Sequence, residues 1–366
     1  MTVYTDANLL YEAGKKAIAS SQWKHNSQMF EMNMLLEIAK LQQDLRDHNY
    51  APQEGRQFTI RERGKVRRVT SIPTPDKTVN HLLCDNVLTP GLRPHLIHDN
   101  GASQKGKGVS FHRRRFEQHV REFYRRTGSN KGYILLGDFR NYYGSIKCDL
   151  ARKNMIDLIG FTDEELEDET DWLLDLIFGS GTGINIGGQP SQDAGVSFAH
   201  RIDTYVKTVE GQRYYGRYSD DFYCIHPDKE YLEGLKERIG REAEKIGLTV
   251  HPTKTYIAKL SDDFRHLQIS YRLTESGKLV RRINPKAVTR ERRKIKAYKR
   301  LQDAGRMAPD EVDNAFKGWM ESNYKVMSRQ QVVNLNNIFE QLFERRIAWK
   351  SSKLRYLTET RSTTSR

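Results

Sequence analysis

Two adjacent carboxylates set between hydrophobic runs constrain this chain more than any other feature. Gly216-Arg217-Tyr218 leads into Ser219-Asp220-Asp221, and Phe222-Tyr223-Cys224-Ile225 follows. The aromatic and β-branched residues on both sides read as two short strands, which puts the Asp pair in the tight turn of a hairpin. Asp is a common turn residue, so the pair alone could be a solvated loop. Two like charges side by side nevertheless repel unless something cationic sits between them. A further carboxylate stands upstream, where the apolar run Tyr133-Ile134-Leu135-Leu136-Gly137 ends in Asp138, before Phe139 and the pair Tyr142-Tyr143. Asp138, Asp220 and Asp221 together offer the hard oxygen donors that Mg²⁺ prefers, leaving its other positions to water and phosphate. Phosphoryl transfer by two metals needs such a set: one ion activates the attacking hydroxyl and the other steadies the leaving pyrophosphate.

At 366 residues the chain exceeds one typical domain, so two or three cooperating subdomains are expected. A formal charge of +14 and a pI near 9.5 point to a polyanionic partner, with nucleic acid ahead of an anionic membrane. No run approaches the ~20 apolar residues of a membrane span, and the N-terminus lacks the basic-then-apolar order of a signal peptide. Cys84, Cys148 and Cys224 lie far apart without metal-ligand spacing, which predicts buried reduced thiols in a cytoplasmic protein. His81, His112, His200 and His226 show no ligand spacing either, and there is no internal repeat.

Helical spacing covers about residues 7 to 48, with Met29, Phe30, Met34, Leu35, Ile38 and Leu41 on one side. Residues 58–73 turn strand-like, with Arg63-Gly64 as the hairpin turn. A helix is expected over 76–90, ending before Pro90, then a Gly/Lys/Ser-rich loop over 100–108 and a basic helix to about 126. Next come a strand at 133–138, helices at 148–159 and 163–178, a loop at 179–188 and a helix at 192–206. Strands flank the Asp pair, a helix spans about 229–246, and short strands fall near 248–258, 265–273 and 278–283. From Pro285 the chain reads as helical and basic, and residues 351–366 as a frayed tail.

These motifs, in this order, resemble a reverse transcriptase across nearly the whole sequence. Asp138 matches the first metal-binding Asp, and Tyr218-Ser219-Asp220-Asp221 matches the Y-x-D-D box. The resemblance implies that Asp138 and Asp220 are the essential metal ligands, that Asp221 supports them, and that Phe139 offers its backbone carbonyl. It implies two Mg²⁺ ions, with Mn²⁺ as a substitute. Tyr143 matches the bulky gate that collides with a ribonucleotide 2′-hydroxyl, and Tyr218 lies on the substrate side of the box. Ile186-Gly187-Gly188-Gln189-Pro190-Ser191-Gln192 is the most discriminating segment. Most of the family carry Q-G-x-x-x-S-P there, and the diversity-generating retroelement class replaces the first Gln by an aliphatic residue and has S-Q at the end. Ile186 and Gln192 fit that variant, with Gly187, Gln189 and Ser191 beside the nucleotide. Ile cannot donate the hydrogen bonds that Gln could, which agrees with the class's adenine-directed infidelity.

Lys254 matches the Lys thought to protonate the departing pyrophosphate. Lys65, Arg67 and Arg68, before Ile72-Pro73, resemble the basic element that clamps the nucleotide triphosphate, in either of two registries. Gly101–Gly108 is a near miss to a P-loop, with Gly108 where the Mg²⁺-binding hydroxyl would stand. It resembles instead a K-G-K-G loop in which Lys105 and Lys107 touch backbone phosphates. His266-Leu267-Gln268-Ile269-Ser270-Tyr271 takes the place of the F-L-G-Y primer grip and keeps it poorly. Basic residues dominate from Lys278 to Arg300, including Arg281, Arg282, Arg292 and Arg293, which fits a helical thumb on a template–primer duplex. Trp319, Tyr324, Leu335, Ile338, Phe339, Leu342 and Phe343 read as that thumb's core.

The implied fold is α+β: a right hand with an antiparallel-sheet palm, mixed fingers and a helical thumb. Its expected parts are an N-terminal helical extension (1–50), fingers (51–132), palm (133–153), a fingers/palm insertion (154–186), palm again (187–272), thumb (273–348) and a basic tail (349–366). The implied activity is RNA-directed DNA polymerisation from dNTPs on a retroelement RNA template, error-prone at template adenines, as in mutagenic retrohoming. Implied partners are template RNA, cDNA or primer, an accessory variability protein and a structured retroelement RNA, with no membrane. Two rivals share the motifs: an antiphage defence reverse transcriptase, and a maturase-like RNA-binding protein. The maturase rival is disfavoured by the intact Asp138, Asp220 and Asp221 and by the lack of a domain after the thumb.

Overall fold

The computed structural model describes residues 2–62, 65–185 and 187–359. The turn expected at Arg63-Gly64, Ile186, and the side chains of Lys65, Arg67 and Arg68 lie outside the described residues. The chain divides into two compact units, Met1–His119 with Tyr133–Ile257, and Val120–Gly132 with Ala258–Arg366.

The first unit opens with three helices, α1 (Ala7–Ala19), α2 (His25–Met32) and α3 (Met34–Arg46). Asp6 caps α1 by accepting from the Asn8 and Leu9 amides, which satisfies two otherwise orphaned donors. The continuous apolar face expected here is corrected in part. The chain re-phases at Asn33 between α2 and α3, so Phe30, Met34, Ile38 and Leu41 are buried while Met29 and Leu35 face out. Strands β1 (Arg56–Glu62) and β2 (Lys65–Ser71) pair antiparallel from Arg56↔Ser71 to Glu62↔Lys65. Helix α4 (Thr74–Leu83) runs through one wider turn at Cys84–Leu88 into α5 (Thr89–Leu92). Pro90 is therefore inside a helical run, at the start of α5, where its missing N–H is tolerated.

Helix α6 (Val109–Thr127) follows, and the division between the units falls within it. Strand β3 (Tyr133–Asp138) leads to α7 (Tyr142–Ser145), α8 (Cys148–Ile159), α9 (Glu164–Phe178), α10 (Gln189–Ser197) and α11 (His200–Thr204). The single helix expected over 192–206 is thus two. Ser197 donates its hydroxyl to the Asp193 carbonyl, and such local side-chain bonding competes with helix propagation. Strands β4 (Tyr215–Tyr218) and β5 (Asp221–His226), helix α12 (Lys229–Lys245) and strand β6 (Tyr256–Lys259) complete a sheet ordered β4-β5-β3-β6. Ile134, Leu135, Leu136, Phe222, Tyr223, Cys224 and Ile225 are all buried, as befits strands covered on both faces. Opposite Phe222 stands Gly137, where a Cβ would fall 2.0 Å from the Phe222 ring, so only glycine fits. The strand expected at 248–258 is shorter: Val250 makes an isolated antiparallel bridge to Phe139, and regular pairing resumes at Tyr256.

The second unit holds an antiparallel sheet of β7 (Phe264–His266), β8 (Ile269–Leu273) and β9 (Leu279–Ile283). Helices α13 (Pro285–Asp303), α14 (Pro309–Asn323), α15 (Arg329–Phe343) and α16 (Ser352–Glu359) follow. Their core gathers Ile295, Phe316, Leu335, Phe339 and Leu354, with the Phe316 and Phe339 rings stacked at 4.6 Å. Ile338, Leu342, Trp319 and Tyr324 pack at its margin. The frayed tail expected from Ser351 is corrected in part, because Leu354 is fully buried and anchors α16. The class is α+β with antiparallel sheets, and all three cysteines are buried and unpaired. Among the described residues no helix is long and apolar enough to cross a membrane.

Candidate active site

Strand pairing brings two of the three carboxylates face to face. Asp138, the last residue of β3, lies directly opposite Asp221, the first of β5, and directly opposed residues project to the same side of a sheet. Tyr218 also pairs with Asp221, so the hairpin loop is only Ser219-Asp220. The turn expected to hold both Asp residues holds one, and Asp221 is a strand residue. Ser219 takes the left-handed φ of 56° that closes so short a loop. The Asp220 carbonyl accepts the Phe139 amide at 3.0 Å, which fastens the turn to the end of β3.

The segment before β6 holds β3 from the other side. The Asp138 amide donates to Thr255 Oγ1 at 3.3 Å, its carbonyl accepts the His251 amide at 2.7 Å, and the Arg140 amide donates to the Thr249 carbonyl at 2.8 Å. This looping-back delivers Lys254, whose ammonium donates to both Asp138 carboxylate oxygens at 2.9 Å. Asp138 is 9% exposed, so the ion pair is what keeps its charge tolerable there. Burial pushes the Asp221 carboxyl up to about 7, the Asp220 and Asp138 charges add to that, and Lys254 opposes it. Asp138 and Asp221 thus lean on the same ammonium, with the Asp220 charge repelling Asp221 from the turn. Such mutual repulsion among hard oxygen donors fits a divalent cation. Among the described residues no group of three or more His, Cys, Asp or Glu side chains is arranged to hold a metal ion. Lys254 is the group that closes on Asp138, and a cation bound through that carboxylate competes with it.

The aromatic residues divide into core and site. Phe139 is 1% exposed and its ring is 5.8 Å from that of Tyr142, so its side chain is structural. Tyr142 donates its hydroxyl to the Gly195 carbonyl at 2.7 Å. The half-buried Tyr143 lies against Gly195, where a Cβ would come within 2.6 Å of its ring. Burial raises the Tyr143 phenol's pKa, eased by its hydrogen bond with the Ser219 side chain. Tyr218 is also half-buried, its ring 5.6 Å from that of His112.

A second group meets around an open cavity of about 560 Å³. Gly187, Gln189 and Gln192 line it together with Lys105, Lys107, Lys77, His81 and Asp85, whereas Asp138, Asp220 and Asp221 do not. Gln189 donates to Asp85 at 3.0 Å, a carboxylate that also accepts from Lys16 at 2.8 Å. Ser191 is buried in α10. Lys107 donates to the carbonyls of His98 and Asn100 at 3.0 and 3.2 Å, which orders its own loop, while Lys105 is exposed. Arg281, Arg282, Arg292 and Arg293 are exposed on β9 and α13 of the second unit.

Sequence reasoning missed Thr255, whose hydroxyl holds the Asp138 amide, and Arg217. A charged residue alternating with Gly216 and Tyr218 in a strand of buried residues is a signal that could have exposed Arg217. No family model matches the chain, and no curated protein matches it. Among solved structures it is similar to apo telomerase from Candida tropicalis (TM-score 0.49, 10% identity, 84% of this chain and 64% of that one). It is also similar to the same organism's apo telomerase truncated from its C-terminal domain (0.48, 11%, 64% and 58%). A third likeness is to Candida albicans telomerase in complex with a TWJ fragment of telomeric RNA (0.47, 13%, 84% and 62%). The chain spans 58–64% of the length of these structures' chains.

Proposed function

We propose that this chain is an RNA-directed DNA polymerase of the diversity-generating retroelement class, copying a structured RNA template into cDNA with errors directed at adenine. The pairing of Asp138 with Asp221 beside the Asp220 turn, closed by Lys254, is the observation that supports it most strongly. Asp138, Asp220, Asp221 and the Phe139 carbonyl would hold two Mg²⁺ ions, which when bound make a primer 3′-hydroxyl nucleophilic and neutralise the leaving pyrophosphate.

The chain's own groups do the rest. Lys254 carries a proton at Nζ, 2.9 Å from Asp138, and gives it to the departing pyrophosphate. Tyr143, backed by Gly195, excludes a ribose 2′-hydroxyl by bulk. Gly187, Gln189 and Gln192 border the nascent pair with Ile186, a side chain that has no donor to hold a base, while Ser191, buried in α10, supports them from behind rather than touching substrate. Lys65, Arg67 and Arg68 engage the triphosphate, Lys105 and Lys107 the template backbone, and Arg281, Arg282, Arg292 and Arg293 the duplex. The palm, fingers and thumb boundaries given above belong to the same proposal, as do an accessory variability protein and a cytoplasmic setting.

The test is primer extension on a defined RNA by the purified chain, with and without its cognate RNA and accessory protein. Misincorporation concentrated opposite template adenine supports the retroelement class. Accurate copying at adenine leaves a polymerase of another class, such as a phage-defence enzyme, and RNA binding without extension favours the maturase-like reading.

A further inference from the structure

Arg217 is the largest fully buried side chain of the fold, and its guanidinium is shared among three parts of the first unit. Its Nε and Nη2 donate to the Asp203 carboxylate on α11 at 2.8 to 2.9 Å, and Asp203 also accepts the Tyr215 hydroxyl at 2.8 Å. Nη2 donates in addition to the carbonyl of Val196 in α10 at 2.8 Å. Nη1 donates to the carbonyl of Ser219 at 3.0 Å. The backbone of Arg217 is occupied as well: its amide donates to the Asp99 carbonyl at 3.1 Å, and its carbonyl accepts from Gly101 at 2.9 Å.

The Ser219 contact is the one with a consequence for chemistry. Ser219 is the left-handed residue of the two-residue turn, a conformation disfavoured for a non-glycine residue without local support. Its carbonyl is held by Arg217 on one side, and the next carbonyl, that of Asp220, is held by the Phe139 amide on the other. The backbone of the Ser219-Asp220 turn is thereby held by two hydrogen bonds, one of them from a group itself fixed by a bidentate ion pair. A guanidinium buried this completely needs a partner for each N–H, and for Nη1 the fold supplies the carbonyl of the turn rather than a further contact with Asp203.

We propose that Arg217 is a positioning residue: through Ser219 it fixes the Asp220 turn against α10, so that Asp220 and Asp138 face a common divalent cation. The inference rests on the metal role proposed above for Asp138 and Asp220. Lysine at 217 keeps the charge against Asp203 but has no planar fork to reach both the carboxylate and Ser219. Replacing both partners, Arg217→Met with Asp203→Asn, removes the turn contact without stranding a buried charge, and serves if the lysine variant does not fold.

The experiment is Mn²⁺ binding to the full chain by electron paramagnetic resonance, with thermal melting as the check on folding and Asp220→Asn as the reference for a lost ligand. Folded Arg217→Lys, or the double variant, is expected to bind Mn²⁺ about tenfold more weakly, the effect of removing a group that orients a ligand. Unchanged Mn²⁺ affinity in a folded variant overturns the inference, as does a wild-type chain that binds no Mn²⁺ or an Asp220→Asn chain that binds it equally. A weakened Mn²⁺ site in a chain that extends no primer would uphold the positioning role and remove the polymerase reading.

Discussion

Glu291 is a carboxyl in the wrong place for neutral pH. It sits on α13 between Val288 and Ile295, is 1% exposed, and its Oε1 has no hydrogen-bond partner. Burial pushes its pKa from 4.5 up to about 7, against a smaller pull from Lys294. A carboxyl moved that far is worth about 3 kcal/mol at full effect. The sign follows from proton binding: between the two values the folded state holds a proton that the unfolded chain has lost, so stability falls as pH rises. The contribution is fully present below about 4.5 and gone above about 7. Glu291→Gln keeps the shape and removes the titration. Urea unfolding of the full chain, followed through the fluorescence of Trp319 and Trp349 in the same unit, reads the difference. The stability advantage of the Gln variant should grow by about 3 kcal/mol between about pH 4.5 and pH 7, then level off. Parallel pH profiles for the two proteins would refute the reasoning.

Three further outcomes bear on the site. Gly195→Ala drives a methyl into the Tyr143 ring, 2.6 Å away, and should raise ribonucleotide incorporation in single-nucleotide extension assays; unchanged sugar selectivity would detach Tyr143 from the gate. Lys254→Ala should lower the extension rate by about 10²-fold or more, the range for a lost general acid, with nucleotide KM less affected; an unchanged rate would reduce Lys254 to a counter-ion for Asp138. Ile186→Gln should lower misincorporation opposite template adenine, scored by sequencing the cDNA, and an unaltered error spectrum would remove that residue from the account of fidelity.

Much of the site could be read from the residues because its signals are local. The apolar run ending in Asp138 is strand 133–138 as expected, and helix 148–159 falls where its spacing puts it. The hairpin around Ser219 is also where the flanking runs place it. Which Asp occupies the turn was not legible, because it depends on whether the loop has two residues or more, and only cross-strand register decides that. The charge of Arg217 in a buried strand could be noticed, but its role could not be read, because its partners Asp203 and Val196 come to it from other elements. The break of the 192–206 helix at Ser197, and the re-phasing at Asn33, are small local events that average apolar spacing hides. Helix α16 forms from a polar stretch because the buried Leu354, with the partly buried Leu357 beside it, anchors it to a core built elsewhere.

Primer extension on a defined RNA by the purified chain and by its Asp138→Asn and Asp220→Asn variants, with circular dichroism confirming that all three fold, tests the central claim most directly. The proposal predicts Mg²⁺-dependent DNA synthesis by the first and a loss of at least about 10³-fold in both variants. Equal synthesis by either variant, or synthesis that persists in a metal chelator, would contradict it.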